Sequence, residues 1–302
     1  MSIVIGVIEE GLIYAIMALG LYITYKILDF PDLSVDGTFP MGAAVTAMVI
    51  IKGVHPAAAL FISFFAGMAA GGITGLIHVK LKVRDLLSGI IVMTALYSVN
   101  LRIAGKSNLP IFSKETIFDN SFLNTAVPEA LKPWTVSILL LVIVGICKVL
   151  LDLFLKTRAG YLLRAAGDNE VLVTSLAKNK GTVKIIGLAL ANGFVALSGS
   201  VYCQQKGFFE ISTGTGTMVI GLASVIIGTK LLKRFGAVKA TTAVIFGSIV
   251  YKACVSAAIA LGMAVIRFTI SVTASDLKLI TAVLFLVILV ASNQKERRKI
   301  HA

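Results

Sequence analysis

Residues 27–44 read Ile27-Leu28-Asp29-Phe30-Pro31-Asp32-Leu33-Ser34-Val35-Asp36-Gly37-Thr38-Phe39-Pro40-Met41-Gly42-Ala43-Ala44, with three carboxylates and two prolines set where two long apolar runs meet. The run before it covers 3–28 and the run that includes its second half covers 34–52. Each is close to the roughly 20 residues that cross a bilayer. Pro40 removes an intrahelical hydrogen bond and Gly37 loosens the turn before it, so a broken or half-length membrane helix is expected here. Of the three acids, only Asp36 is placed at membrane depth. A carboxylate there is expensive and faces a cavity or a partner. Two roles stay open for Asp36: a place on the substrate path, or a cap accepting from backbone amides near the cytoplasmic interface.

Outward from this stretch the chain stays apolar. Of its 302 residues, 57% are hydrophobic and 14% charged, with a mean hydropathy of +0.94. Soluble domains carry about 25% charged residues, so a pair of soluble domains is excluded. Further apolar runs lie at 56–79, 85–104, 134–155, 184–204, 214–230, 238–265 and 277–293. The fold class is an all-α polytopic membrane protein with about nine transmembrane helices. The first run carries Glu9 and Glu10 and lacks a basic leader, so it reads as a retained span and not a cleaved signal. Cys147, Cys203 and Cys254 fall inside apolar runs and read as small buried thiols, not as a disulfide or metal framework.

The net charge of +13 signals loop placement and not nucleic-acid binding. Lys80, Lys82 and Arg84 crowd one connection, and Lys156, Arg158, Arg164, Lys178, Lys180 and Lys184 mark a second. Lys230, Lys233, Arg234 and Lys239 mark a third, and Lys295, Arg297, Arg298 and Lys299 the tail. Positive-inside bias puts these in the cytoplasm, with the C-terminus there and the N-terminus outside. The expected location is the plasma membrane, in contact with lipid. Residues 105–133 form the largest external loop and 156–183 the largest cytoplasmic one. In the latter, Leu162, Leu163 and Ala166, then Val173, Leu176 and Ala177, repeat at helical spacing. It reads either as a juxtamembrane helix on anionic lipid or as a docking helix for a cytoplasmic partner. In the docking reading, Arg164, Asp168, Asn169 and Glu170 are the polar cluster that meets the partner.

Gly37-Thr38 with Gly42 and Ala44 lines up with Gly216-Thr217 with Gly221 and Ala223 at one constant offset. Asp85-Leu86 and Asp276-Leu277 open two further runs in the same way. With the topology above, the matched spans run in opposite directions, as in an inverted-topology repeat. The repeat halves are about 1–155 and 184–293, within a single domain of 1–302. Gly67, Gly71, Gly72 and Gly75 would let backbones approach, for sliding or for static packing.

No catalytic set emerges. Asn100–Ser107 imitates a phosphate-binding loop, but its first glycine is missing and a membrane helix precedes it on the external face. The chain is therefore expected to hydrolyse no ATP and to bind no metal or cofactor. His55, His78 and His301 lie far apart. Ser34, Asp36, Ser98, Asn100 and Asn192 are the uncommitted polar groups at depth, either bonded between helices or lining a translocation path.

Residues 27–44 resemble the second-span signature of permease subunits of ATP-binding-cassette importers in the branched-chain amino-acid and ribose permease family. Leu163-Arg164-Ala165-Ala166-Gly167-Asp168-Asn169, then Gly181 and the stretch from Leu190 to Tyr202, resemble that family's cytoplasmic loop and next helix. Gly11–Gly37 is similar to the opening of the branch with tryptophan/tyrosine permeases. Where the family has ten helices, this chain has room for nine clear spans. The resemblance implies a type II importer-like fold and two permease copies, as a homodimer or with a sister permease. It also implies a cytoplasmic ATPase that holds the ATP, and an external binding protein that delivers a small solute, an amino acid and by the branch an aromatic one. The rival is an ion-coupled secondary transporter with inverted repeats, whose candidate coupling acids are Asp36 and Asp152. Asp152 has an alternative partner in Lys148, one helical turn away. A channel or a membrane scaffold is a third, weaker reading.

Overall fold

The structure, a computed structural model, describes residues 2–120, 128–129, 131–168, 180–232, 239–266 and 286. Asn169, Glu170, the second cluster of the cytoplasmic segment, and the expected last span at 277–293 lie outside the described residues, apart from Leu286.

The helices are α1 (Ser2–Leu21), α2 (Val35–Ile51), α3 (Pro56–Lys80), α4 (Asp85–Ala104), α5 (Thr135–Leu155), α6 (Arg158–Asp168), α7 (Lys180–Lys206), α8 (Thr217–Leu231) and α9 (Ala240–Ile266). Among the described residues, seven helical segments are long and apolar enough to cross a membrane, and Val35–Ile51 is a shorter apolar helix. These fall on the expected runs. The described chain is helical apart from loops and a three-residue ribbon. In that ribbon β1 (Asn108–Pro110) pairs antiparallel with β2 (Phe208–Glu210), Leu109 opposite Phe209.

The core is assembled around α7. Asn192, Val195, Ala196, Ser198, Ser200, Val201 and Cys203 are fully buried, which a helix achieves only with neighbours on most sides. On one side α3 runs antiparallel to it. A Cβ at Gly67 would collide with Ala196 and the Asn192 carbonyl, one at Gly71 with the Leu188 carbonyl, and one at Gly75 would meet Ile185. Glycine at every fourth position keeps this stripe on one face, so the two backbones touch directly. Gly72 faces open space and lies off the seam.

Contacts between helices fix their relative directions. Ser34 bonds to Asn192 and Thr46 to Ser200, so α2 runs parallel to α7. Ser198 donates to the Ile13 carbonyl at 2.7 Å and Lys206 reaches Glu10 at 2.8 Å, so α1 opposes α7. Ser248 donates to the Gly11 carbonyl at 2.8 Å, and Gly228 abuts Ala243. Helix α9 thus opposes both α1 and α8. It follows that α2 and α8 run in opposite directions, as the sequence repeat requires.

The break before α2 differs from the expected one. Pro40 lies inside α2 without ending it. The chain breaks upstream instead, where α1 passes into a π-helical turn at Tyr22–Ile27 and then into irregular chain over 28–34. Cys147 and Cys203 are buried as expected, but Cys254 is exposed on the bundle surface. The outward faces of α4 and α5 are apolar: Leu86, Leu87, Ile90, Ile91 and Tyr97 on one, Ile138, Leu141 and Val142 on the other. That is the surface of a bundle solvated by hydrocarbon.

Candidate functional site

Helices α2 and α8 meet head to head. Asp36, in the first turn of α2, extends its carboxylate across to the start of α8. Its Oδ2 accepts from the Gly216 amide at 3.0 Å. Its Oδ1 accepts from the Thr217 hydroxyl at 2.9 Å and the Met218 amide at 2.8 Å. Gly216 precedes α8 with φ of 86°, a left-handed conformation that glycine adopts freely. Gly214 lies so close to the Asp36 carbonyl and the Pro40 ring that a side chain there would collide. One carboxylate therefore satisfies orphan amides of α8 while sitting at the positive end of α2, and both helix dipoles favour its charge. The expected cap is present, but it caps the other repeat's helix, near the middle of the bundle.

A second polar cluster lies beside it. Asp32 is 2% exposed, although the sequence suggested that only Asp36 would lie at depth. Asn192, midway along the 27-residue α7, donates from Nδ2 to Asp32 Oδ2 at 2.7 Å. The Ser34 amide and hydroxyl donate to Asp32 Oδ1 at 2.9 and 2.6 Å. Asn100 donates to the Gly37 carbonyl at 3.0 Å, while its Oδ1 is buried without a hydrogen-bond partner. Four of the five suggested path residues, Ser34, Asp36, Asn100 and Asn192, thus converge on the start of α2. Ser98 does not: it is exposed on the outward face of α4.

The segment 156–183, expected on the cytoplasmic side from its charges, begins with α6. Leu163 and Ala166 are buried and Arg164 is exposed, so one face packs on the bundle and the other is free for a partner. Gly160 and Gly167 permit the close fit. A Cβ at Gly167 would strike the Ile27 carbonyl oxygen, and Leu163 shares the space beside Gly187 with Leu28. Asp168 ends the helix.

Two further clusters tie the helices together. Asp152 pairs with Lys148 at 3.0 Å and Lys239 at 3.4 Å and accepts from Thr241 at 2.7 Å. The expected Lys148 partner is present, and α9 adds the others. At the opposite end Glu10 pairs with Lys206 and with Lys252 at 3.2 Å, and Lys252 sits 4.1 Å from the Tyr14 ring centroid. Glu9 accepts from Ser137 and Gln205, both at 3.2 Å. Nothing in the sequence relates Glu9 and Glu10 to these partners on α5, α7 and α9. Among the described residues, no three His, Cys, Asp or Glu side chains cluster as for a metal ion.

Comparison with known proteins places this arrangement. The family described as the branched-chain amino acid transport system, permease component, matches residues 3–292. The tyrosine transport system permease protein of Clostridioides difficile is 46% identical over 97% of this chain and 92% of its own length. The ribose import permease protein RbsC of Escherichia coli is 23% identical over 74% of this chain and 68% of its own. Among solved structures, PsaBC from Streptococcus pneumoniae in complex with Fab is similar with a TM-score of 0.50 and 13% identity. It covers 93% of this chain and 89% of that one, a likeness of fold alone. The family match over residues 3–292, together with 46% identity along nearly the whole chain, makes this a permease component of an ATP-binding-cassette transport system, and the chain belongs to the branched-chain amino acid transport permease family.

Proposed function

We propose that this chain forms, as two copies about a C2 axis, the membrane part of an importer for an aromatic amino acid. An external binding protein delivers the solute, and a separate cytoplasmic ATPase hydrolyses the ATP. The observation that carries the substrate class is the 46% identity, along 97% of the chain, to a permease named for tyrosine transport. The exposed side of α6 at Arg164 is the ATPase-docking surface, with Asp168, Asn169 and Glu170 assigned to it from the sequence. Closure of the ATPases favours one of two packings of the same helices. The permease forms no bond with the solute. Ser34, Asp36, Asn100 and Asn192 hold the helices that border the path, and solute selection resides in the binding protein.

An ion-coupled carrier would need, in its resting state, a carboxylate with oxygens open to an incoming ion. Asp36 is held by three donors and Asp152 by two lysines and a threonine, which favours the importer. The test is reconstitution in liposomes with the co-purified ATPase and binding protein. Uptake of radiolabelled tyrosine or tryptophan should require internal ATP and persist when ion gradients are collapsed. Uptake that follows an ion gradient without ATP would overturn the proposal. Mass spectrometry of the ligand on the binding protein fixes the solute, and native mass spectrometry of the complex counts two copies of this chain. A single copy, or a second permease beside it, would refute the homodimer.

A further inference from the structure

Between the cytoplasmic helix α6 and the head-to-head junction lies one short piece of chain, residues 22–34, whose first half has an unusual backbone. Tyr22–Ile27 is π-helical, a form that is rare and concentrates at functional positions. The Leu28 amide donates to Ile23 O at 2.9 Å and the Phe30 amide to Thr24 O at 2.8 Å. These bonds span five and six residues, where an α-helix spans four. Asp29 follows with φ of 51°, a left-handed conformation that costs a side-chain-bearing residue energy. Such a segment persists only where its surroundings hold it.

The surroundings are two functional elements. On one side, Gly167 of α6 lies against the Ile27 carbonyl oxygen with no room for a Cβ, and Leu28 shares a space with Leu163 of α6 at Gly187. On the other, Asp32 is pinned to Asn192 at 2.7 Å and to the Ser34 amide at 2.9 Å. Two residues past Ser34, Asp36 holds the start of α8. The chain between these fixtures has little slack.

We propose that the π turn is a one-residue ratchet that joins α6 to the α2–α8 junction. The proposal rests on the reading of α6 as the ATPase-docking helix. A π turn stores one residue more than an α-helical turn. Its conversion to α-helix passes that residue onward, a shift of about 1.5 Å with a rotation of about 100°. The two registers are discrete, as a switching element requires. When the ATPase displaces α6, the backbone contact at Gly167 carries the displacement to Ile27 and the register changes. Leu28–Ser34 then moves against α7, and Asp36 withdraws from the Gly216 and Met218 amides. Gly167 and Asp32 are positioning residues in this scheme, and neither touches the solute.

Hydrogen exchange on the complete permease–ATPase complex, nucleotide-free and then trapped with ATP and vanadate, tests the ratchet. The Leu28 and Phe30 amides and the Gly216 and Met218 amides should change together, by about tenfold or more in exchange rate, while amides along the α3–α7 seam stay protected. Gly167→Ala, which forces α6 away from Ile27, should remove the joint change and raise the ATP hydrolysed per solute moved by about tenfold. If that variant fails to assemble, the wild-type exchange decides alone. Unchanged Leu28 and Phe30 amides across the ATP cycle would overturn the ratchet, as would release of Gly216 and Met218 with the π turn still protected. The docking reading fails separately: the ATPase would then still bind and drive a permease with Arg164 and Asp168 reversed in charge.

Discussion

Thr217 donates its hydroxyl to the carboxylate of Asp36 at 2.9 Å, across 181 positions of chain. Two helices of opposite direction are held at their N-termini by one side chain, each belonging to a different half of the sequence repeat. The junction is therefore joined through one carboxylate that accepts from three donors.

Replacing Asp36 tests that link. Asp36→Ala leaves the Gly216 and Met218 amides without their acceptor and should cost about 2–4 kcal/mol, since each is a bond to a charged group. Asp36→Asn keeps one oxygen and should cost about half as much. Thermal unfolding of the purified permease in detergent should rank wild type above Asn above Ala. Equal midpoints for all three would show that the cap contributes nothing.

The seam between α3 and α7 predicts a contrast between adjacent glycines. Gly71→Ala pushes a methyl into the Leu188 carbonyl and the Asn192 side chain, and should destabilise by about 1–3 kcal/mol. Gly72→Ala meets nothing and should be neutral, or stabilising by up to about 1 kcal/mol, through helix propensity. The same unfolding assay reads both variants.

Charge reversal at Arg164 together with Asp168 should abolish transport and ATPase co-purification while leaving membrane insertion intact. Arg164 is exposed on α6, so its reversal should leave the packed face of the helix in place. Normal transport by a well-expressed double variant would exclude this face as the docking surface.

Asn192 and Asn100 should respond differently to leucine. Asn192→Leu removes a donor from the buried Asp32 carboxylate and should cost about 1–3 kcal/mol. Asn100 already has an unpartnered Oδ1, so Asn100→Leu gives up one bond and buries one unmet need fewer. Its cost should stay below about 1 kcal/mol. Both should slow transport without altering ligand affinity of the binding protein, measured by calorimetry. A change of solute preference in either would place recognition in the permease.

Much of the fold is legible in the sequence because membrane spans obey a length rule. The ends of α3 and α4 fall where the apolar runs of 56–79 and 85–104 end. The Gly37-Thr38 and Gly216-Thr217 match implies opposed spans, and the structure adds that the two segments meet. What the sequence could not convey is distance in space. Asp36 was readable as a cap, but a cap is ordinarily local, and nothing in the sequence says that its amides lie beyond residue 215. The pairing of Glu10 with Lys206 and Lys252 crosses three helices for the same reason. The π turn at Tyr22–Ile27 has ordinary composition and follows from contacts with α6 and α7. Pro40 misled because a proline in the second turn of a short helix forfeits one bond, which α2 tolerates.

The span of the Asp36 cap has a consequence for biogenesis. The chain is made from its N-terminus, and Gly216 leaves the ribosome 180 residues after Asp36. At roughly 5–20 residues per second, that delay is on the order of ten to forty seconds. Throughout it α2 carries a carboxylate with neither of the α8 amides to accept from, and an unpartnered intramembrane acid is costly. The early helices must therefore wait beside water or the insertion machinery until α8 is delivered, so that synthesis of the second half releases the first into the bilayer.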